Sequence, residues 1–133
     1  MHHINWLAVI VAGIVGFFPG AVWYSPVMFL KPWARELGID LSQPQKPKHM
    51  PLLLVTGLIL SIVVAIVLSF IIGPVPGVHH ALLAAAGCAI GLVAASFGIQ
   101  YLFEGRSITF WAINAGYHLV QFLLIGLVLG LMR

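Results

Sequence analysis

Charge is what this sequence has least of. Its 133 residues hold six Lys or Arg and three Asp or Glu, against 62% hydrophobic residues. A soluble domain carries roughly a quarter charged residues, so a chain this poor in charge is written for lipid. Cysteine is nearly absent as well. Cys88 stands alone inside an apolar run, which excludes an intramolecular disulfide and reads as a small buried hydrophobe rather than a reactive thiol. Nucleophile–base pairs, glycine-rich phosphate loops and carboxylate pairs are missing, so covalent or hydrolytic catalysis has no visible apparatus and the reading leans away from an enzyme. The N-terminus lacks the basic region of a signal peptide, and its first apolar stretch is read as a retained helix.

The histidines exclude something too. His49 lies in the basic loop, His79 and His80 at the far end of the third apolar segment, and His118 within the fourth. No two share helical spacing and depth, so neither a haem nor a metal site is expected. His2 and His3, with His79 and His80, read as wet surface residues. The length leaves no room for a separate soluble domain, and no cofactor is expected.

What the chain does have is four long apolar segments, at about Ile4–Tyr24, Pro51–Ile72, His79–Phe103 and Ile108–Leu131. About 20 helical residues cross the roughly 30 Å hydrocarbon core, so the expected fold is all-α, one domain of four transmembrane helices in an antiparallel bundle. Pro19 should kink the first helix. Trp6 at one end and Trp23 and Tyr24 at the other fit the two interfacial belts. Between the first two spans, residues Pro26 to Met50 form the one substantial polar stretch. There Met28–Leu37 reads as an interfacial helix with Phe29 and Trp33 facing lipid, and Leu41–Met50 as a linker. In the second span Thr56, Ser61 and Ser69 are read as hydroxyls bonded to their own helix.

Small residues recur at steps of three and four, a spacing that lets helices approach closely. The first helix has Gly13, Gly16 and Gly20, and the fourth Gly126 and Gly130. The third has the longest series, Ala84, Gly87, Gly91, Ala94 and Gly98, which should lie at the bundle centre or at a contact between copies. The basic residues set orientation. Lys31, Arg35, Lys46 and Lys48 follow the first span, Arg106 follows the third, and Arg133 alone falls on the other side. By the positive-inside rule the 26–50 loop faces the cytoplasm and both termini lie outside. A basic loop of this kind is an orientation signal, not a nucleic-acid patch.

The fourth segment breaks its own pattern with Asn114, His118 and Gln121, which share one helical face. Polar groups at membrane depth are costly against lipid, so this face should meet protein or water. Trp23, Tyr24 and Ser25 end the first span on the same side, and Gln100, Tyr101 and Glu104 end the third. With Tyr117, these residues form a candidate binding cluster in the inner leaflet. Two readings stand. The bland one has them bond one another, Asn114 with Gln100 for example, and lock the bundle. The functional one is a small-solute, proton or ion site, since histidine titrates near neutral pH; His118 itself is expected to be uncharged at pH 7.

Specific words in the chain go further. Asn5-Trp6-Leu7-Ala8-Val9, Ala21-Val22-Trp23-Tyr24-Ser25-Pro26 and Lys31-Pro32-Trp33 come from the first third. Tyr101-Leu102-Phe103-Glu104-Gly105-Arg106 and Asn114-Ala115-Gly116-Tyr117-His118-Leu119 come from the last. Together they resemble the family of small bacterial membrane proteins known as domain of unknown function 1761, over nearly the whole chain. The resemblance implies a four-helix integral membrane protein of the bacterial inner membrane and supplies no activity. It also implies that Trp23–Pro26 and Glu104–His118 belong to one site. The expected function is passage or sensing of a small polar solute or proton by a homo-oligomer. The alternative is an interaction protein that docks an unidentified membrane partner.

Overall fold

The computed structural model describes residues 4–40, 42, 50–74 and 77–132. Lys46, Lys48, His49, Arg133, His2, His3 and most of the expected 41–50 linker lie outside the described residues. All regular structure among the described residues is helical: α1 (Trp6–Phe17), α2 (Pro19–Trp23), α3 (Leu30–Leu37), α4 (Met50–Ile72), α5 (Val78–Cys88), a π-helical turn (Ala89–Ala94), α6 (Ala95–Glu104) and α7 (Ile108–Leu131). Four spans result, Trp6–Trp23, Pro51–Ile72, Val78–Glu104 and Ile108–Leu131, each long and apolar enough to cross a membrane. The protein is an all-α polytopic membrane protein.

Local chemistry sets the boundaries. The Asn5 side chain caps α1 by accepting from Ala8 N at 3.2 Å, and Ser107 Oγ caps α7 by accepting from Phe110 N at 3.1 Å. Pro19 has no N–H to give, so the first span breaks into α1 and α2 at Phe18 while its backbone stays helical. Gly38 and Gly105 stop α3 and α6 in the left-handed conformation, with φ of 73° and 72°. Beyond α3, Asp40 accepts from Ser42 N at 2.9 Å and Ser42 Oγ at 2.6 Å. Those two bonds hold its carboxyl below the usual range.

Burial ranks the spans. In its most apolar window the fourth is 44% buried, the first and second 28%, and the third 11%. The fourth is also the least hydropathic of the four, so the helix with most to lose against lipid takes the centre. The third span packs along α7 from one side and the first from the other. Toward the end away from the 26–50 loop the core is aliphatic, with Val9, Ala12, Leu68, Ile72, Ala85, Ile125 and Leu129 enclosed.

Glycines permit the close crossings. A methyl group at Gly13 would lie 2.5 Å from Ile62 Cγ1 and 2.8 Å from its Cα, and one at Gly126 would lie 2.8 Å from Ala85 Cβ. Gly130 meets the Val78 backbone. Gly87 and Gly91 meet nothing within 4 Å, and Gly98 has only Trp111 beside it. The third-span series therefore does not sit at the centre of the protomer; its Gly87–Gly91 face looks outward.

The residues of the third span that face α7 are Ala81, Ala85 and Ala89, then Val93, Phe97 and Tyr101. They recur every fourth position. In an α-helix each step of four overshoots the turn by about 40°, so five steps would carry the face about 200° round. The π turn, whose Ala95 N–H reaches back to Ile90 O, takes in one extra residue and removes about half of that drift. Trp111 Nε1 donates to the carbonyl of Ala94, the last residue of this turn, at 2.8 Å.

The interfacial helix forms, but its aromatics do not face lipid as expected. The 25–29 turns fold back so that Phe29 N donates to Trp23 O at 3.0 Å. The Phe29 ring then lies 4.8 Å from Trp23, and Trp33 meets Tyr24 edge-on at 5.7 Å. Ring–ring contact and the burial of Ala34 hold α3 against the bundle.

Candidate functional site

Asn114 is the hub of the loop end. It lies six residues into α7, about 9 Å along the axis, and is buried. Its Oδ1 accepts from Tyr24 Oη at 2.7 Å and its Nδ2 donates to Tyr101 Oη at 3.1 Å. One amide thus joins the end of the first span, the third span and the fourth. Trp23 Nε1 adds a bond to the Ile113 carbonyl at 2.8 Å, and its ring closes on Gly116, where a methyl group would sit 2.9 Å from it.

A second set lies about one to two turns deeper. His118 Nδ1 is 2.8 Å from Gln121 Oε1. An amide oxygen only accepts, so the ring carries its proton on Nδ1. Gln121 Nε2 then donates to Ser61 Oγ across a long 3.5 Å, and Ser61 Oγ donates to the Gly13 carbonyl at 2.7 Å. Each donor along this chain points the same way, from the histidine toward the first span. Gln121 and Ser61 are both buried.

Aromatic rings bridge the two sets. Tyr117 meets Tyr24 edge-on at 5.6 Å and His118 at 4.9 Å, while Phe97 meets His118 at 5.3 Å. Phe97 also stacks on Tyr101 at 5.5 Å. The imidazole is therefore walled by rings and half-buried.

Of the cluster expected from sequence, Trp23, Tyr24, Tyr101, Asn114, Tyr117, His118 and Gln121 come together. Ser25 stays beside them but bonds only its own turn, Val22 O, at 2.7 Å. Gln100 and Glu104 are exposed on the outer face of α6. The pairing of Asn114 with Gln100 does not form because Tyr101, one position on, occupies the inward side. Ser61, Phe97, Trp33 and Trp111 are additions. Ser61 was legible only through its partner: a glycine opposite brings the first span close enough to offer its carbonyl. Among the described residues no group of three His, Cys, Asp or Glu is arranged to hold a metal ion.

The family model described as protein of unknown function (DUF1761) matches residues 7–130. The chain belongs to this family. The match takes in all four spans but for one terminal residue each of the first and the fourth, and every residue of both polar sets. No curated protein and no solved structure matches the chain.

Proposed function

We propose that the protein passes or senses a small polar solute or proton at this cluster, as a homo-oligomer in the bacterial inner membrane. In this reading the 26–50 loop is cytoplasmic and both termini lie outside. The observation that carries it is the one-way donor order His118 to Gln121 to Ser61 to the Gly13 carbonyl. With Nδ1 committed to Gln121, His118 keeps Nε2 as a proton acceptor, on the one membrane-depth side chain that titrates near neutral pH. A proton is the simplest cargo or signal for such a chain. The outward Gly87–Gly91 face gives a second copy a close-approach surface.

The rival reading is an interaction protein whose cluster is purely structural. It is favoured by Asn114, whose acceptor and donor are both taken by tyrosines. His118→Gln separates the two, because Gln can still donate and accept. In proteoliposomes the folded variant should lose a proton flux or pH-dependent signal between about pH 5 and 8. An unchanged response in a stably folded variant leaves the structural reading standing.

A further inference from the structure

Two apolar grooves run down either side of the first turns of α7, and Ile108 is the ridge they share. One, of about 270 Å³, lies between the third and fourth spans, with Gly98, Leu102 and Trp111 on its walls and Arg106 and Ser107 at its mouth. The other, of about 510 Å³, lies between α7 and the α2–α3 corner, against Trp23, Phe29, Pro32, Ala112 and Gly116. Leu102 and Ile108 are each 81% exposed, so the ridge and the outer wall stand free on the membrane side. Water in such a groove would find few partners for its hydrogen bonds, whereas a hydrocarbon chain fits the lining chemically.

The mouth of the first groove carries the opposite chemistry, and a second cation is the chain neighbour of Pro32 in the wall of the other. Arg106 holds its guanidinium 5.2 Å over the Phe110 ring, and Lys31 is exposed in the turn of Pro32. Neither cation has a carboxylate within ion-pair distance among the described residues. Ser107 Oγ accepts from Phe110 N, which leaves its hydroxyl proton to give. Basic pockets between spans at a headgroup level are suited to anionic lipid.

We propose that the paired grooves bind one anionic phospholipid of the loop-side leaflet, an acyl chain on each side of Ile108 and its phosphate held by Arg106, Lys31 and Ser107. The bound lipid joins the third span to α3 across the open end of the polar cluster. This reading is independent of any proton traffic, since it uses none of the His118 chain.

The test is native mass spectrometry of the full chain from detergent, with phosphatidylglycerol and phosphatidylcholine of identical acyl chains. Phosphatidylglycerol should be retained preferentially on the wild type. Arg106→Gln should lower that preference about fivefold, the worth of one headgroup-level cation, and Arg106→Lys should keep most of it. Equal retention of the two lipids by the wild type would overturn the proposal, whatever the variants do. So would full preference in a folded Arg106→Gln, Lys31→Gln double variant. Displacement of the lipid by glycerol 3-phosphate at equal concentration would overturn it too, because the grooves would then contribute nothing.

Discussion

Asn5 and Met132 are 127 positions apart, and Asn5 Nδ2 donates to the Met132 carbonyl across 2.9 Å. The same side chain caps α1 through its oxygen. One amide therefore starts the first span and closes the last, fastening both chain ends at the side opposite the loop. Asn5→Asp keeps the cap and removes the donor. It should cost about 0.6 kcal/mol, the mean for interhelical bonds in membranes, and Asn5→Ala about 1 kcal/mol more through loss of the cap. Thermal melts of the wild type and the two purified variants would separate the terms, and an Asn5→Asp melting point equal to the wild type's would mean the bond to Met132 contributes nothing.

Asn114 is expected to be the most sensitive polar position. Asn114→Ala leaves the hydroxyls of both Tyr24 and Tyr101 without their partner and should cost about 1–3 kcal/mol. Tyr24→Phe removes one bond and should cost no more than about 1.7 kcal/mol. A double-mutant cycle on the pair should return a coupling of at least about 0.5 kcal/mol; additivity would show that the 2.7 Å contact is not a working bond.

The glycines should divide by face. Gly13→Leu drives a side chain into the Ile62 backbone and should abolish a folded monomer, whereas Gly91→Leu meets open space within the chain. If Gly87 and Gly91 face a second copy, Gly91→Leu leaves the melting point of the monomer unchanged and dissociates the oligomer in size-exclusion chromatography with light scattering. An oligomer of unchanged mass would remove that face from the proposal.

Ser61 tests whether the deeper chain acts as a unit. Ser61→Ala strips the partner from Gln121 Nε2, freeing the amide to turn. The imidazole nitrogens of His118 should then shift in ¹⁵N NMR, although the two residues do not touch. An unmoved spectrum would reduce the 3.5 Å contact to mere proximity.

Orientation is checked by labelling in a Cys88→Ala background. An impermeant thiol reagent applied to intact cells should mark His79→Cys and spare Ser42→Cys. The reverse result would place the basic loop outside, and the cluster in the other leaflet.

The four spans and the shared face of Asn114, His118 and Gln121 were legible because hydropathy and the 100° helical step are properties of one segment at a time. Which small-residue face meets which helix was not. Gly87 and Gly91 carry the spacing of a packed seam, yet Ala81 and Ala85 do the packing against Gly126. Spacing says that a face admits a neighbour and does not say that one comes. Gln100 failed for a related reason. Gln100 and Tyr101 are adjacent at the span end, and the rephasing by the π turn makes Tyr101 the one that continues the Ala81–Ala85–Ala89 face toward α7. Ser61 reads as bonded to its own helix, because a hydroxyl there is usually content with its own carbonyls; instead it donates to the Gly13 carbonyl, which the glycine brings within reach.

The π turn makes this helix tolerant of editing in one place and intolerant elsewhere. A span whose two halves both have assigned partners normally cannot lose a residue, because everything beyond the cut rotates by about 100°. Between Cys88 and Ala95 a deletion would be absorbed as ordinary α-helix, leaving Ala81 and Ala85 docked. The loop-side half would keep its phase as well, because the residue lost is the one the π turn takes in, so Tyr101 stays on Asn114 and Phe97 on His118. A single missing codon there would leave the polar cluster assembled, whereas one lost between Ala95 and Tyr101 would turn Tyr101 away from Asn114 by about 100°.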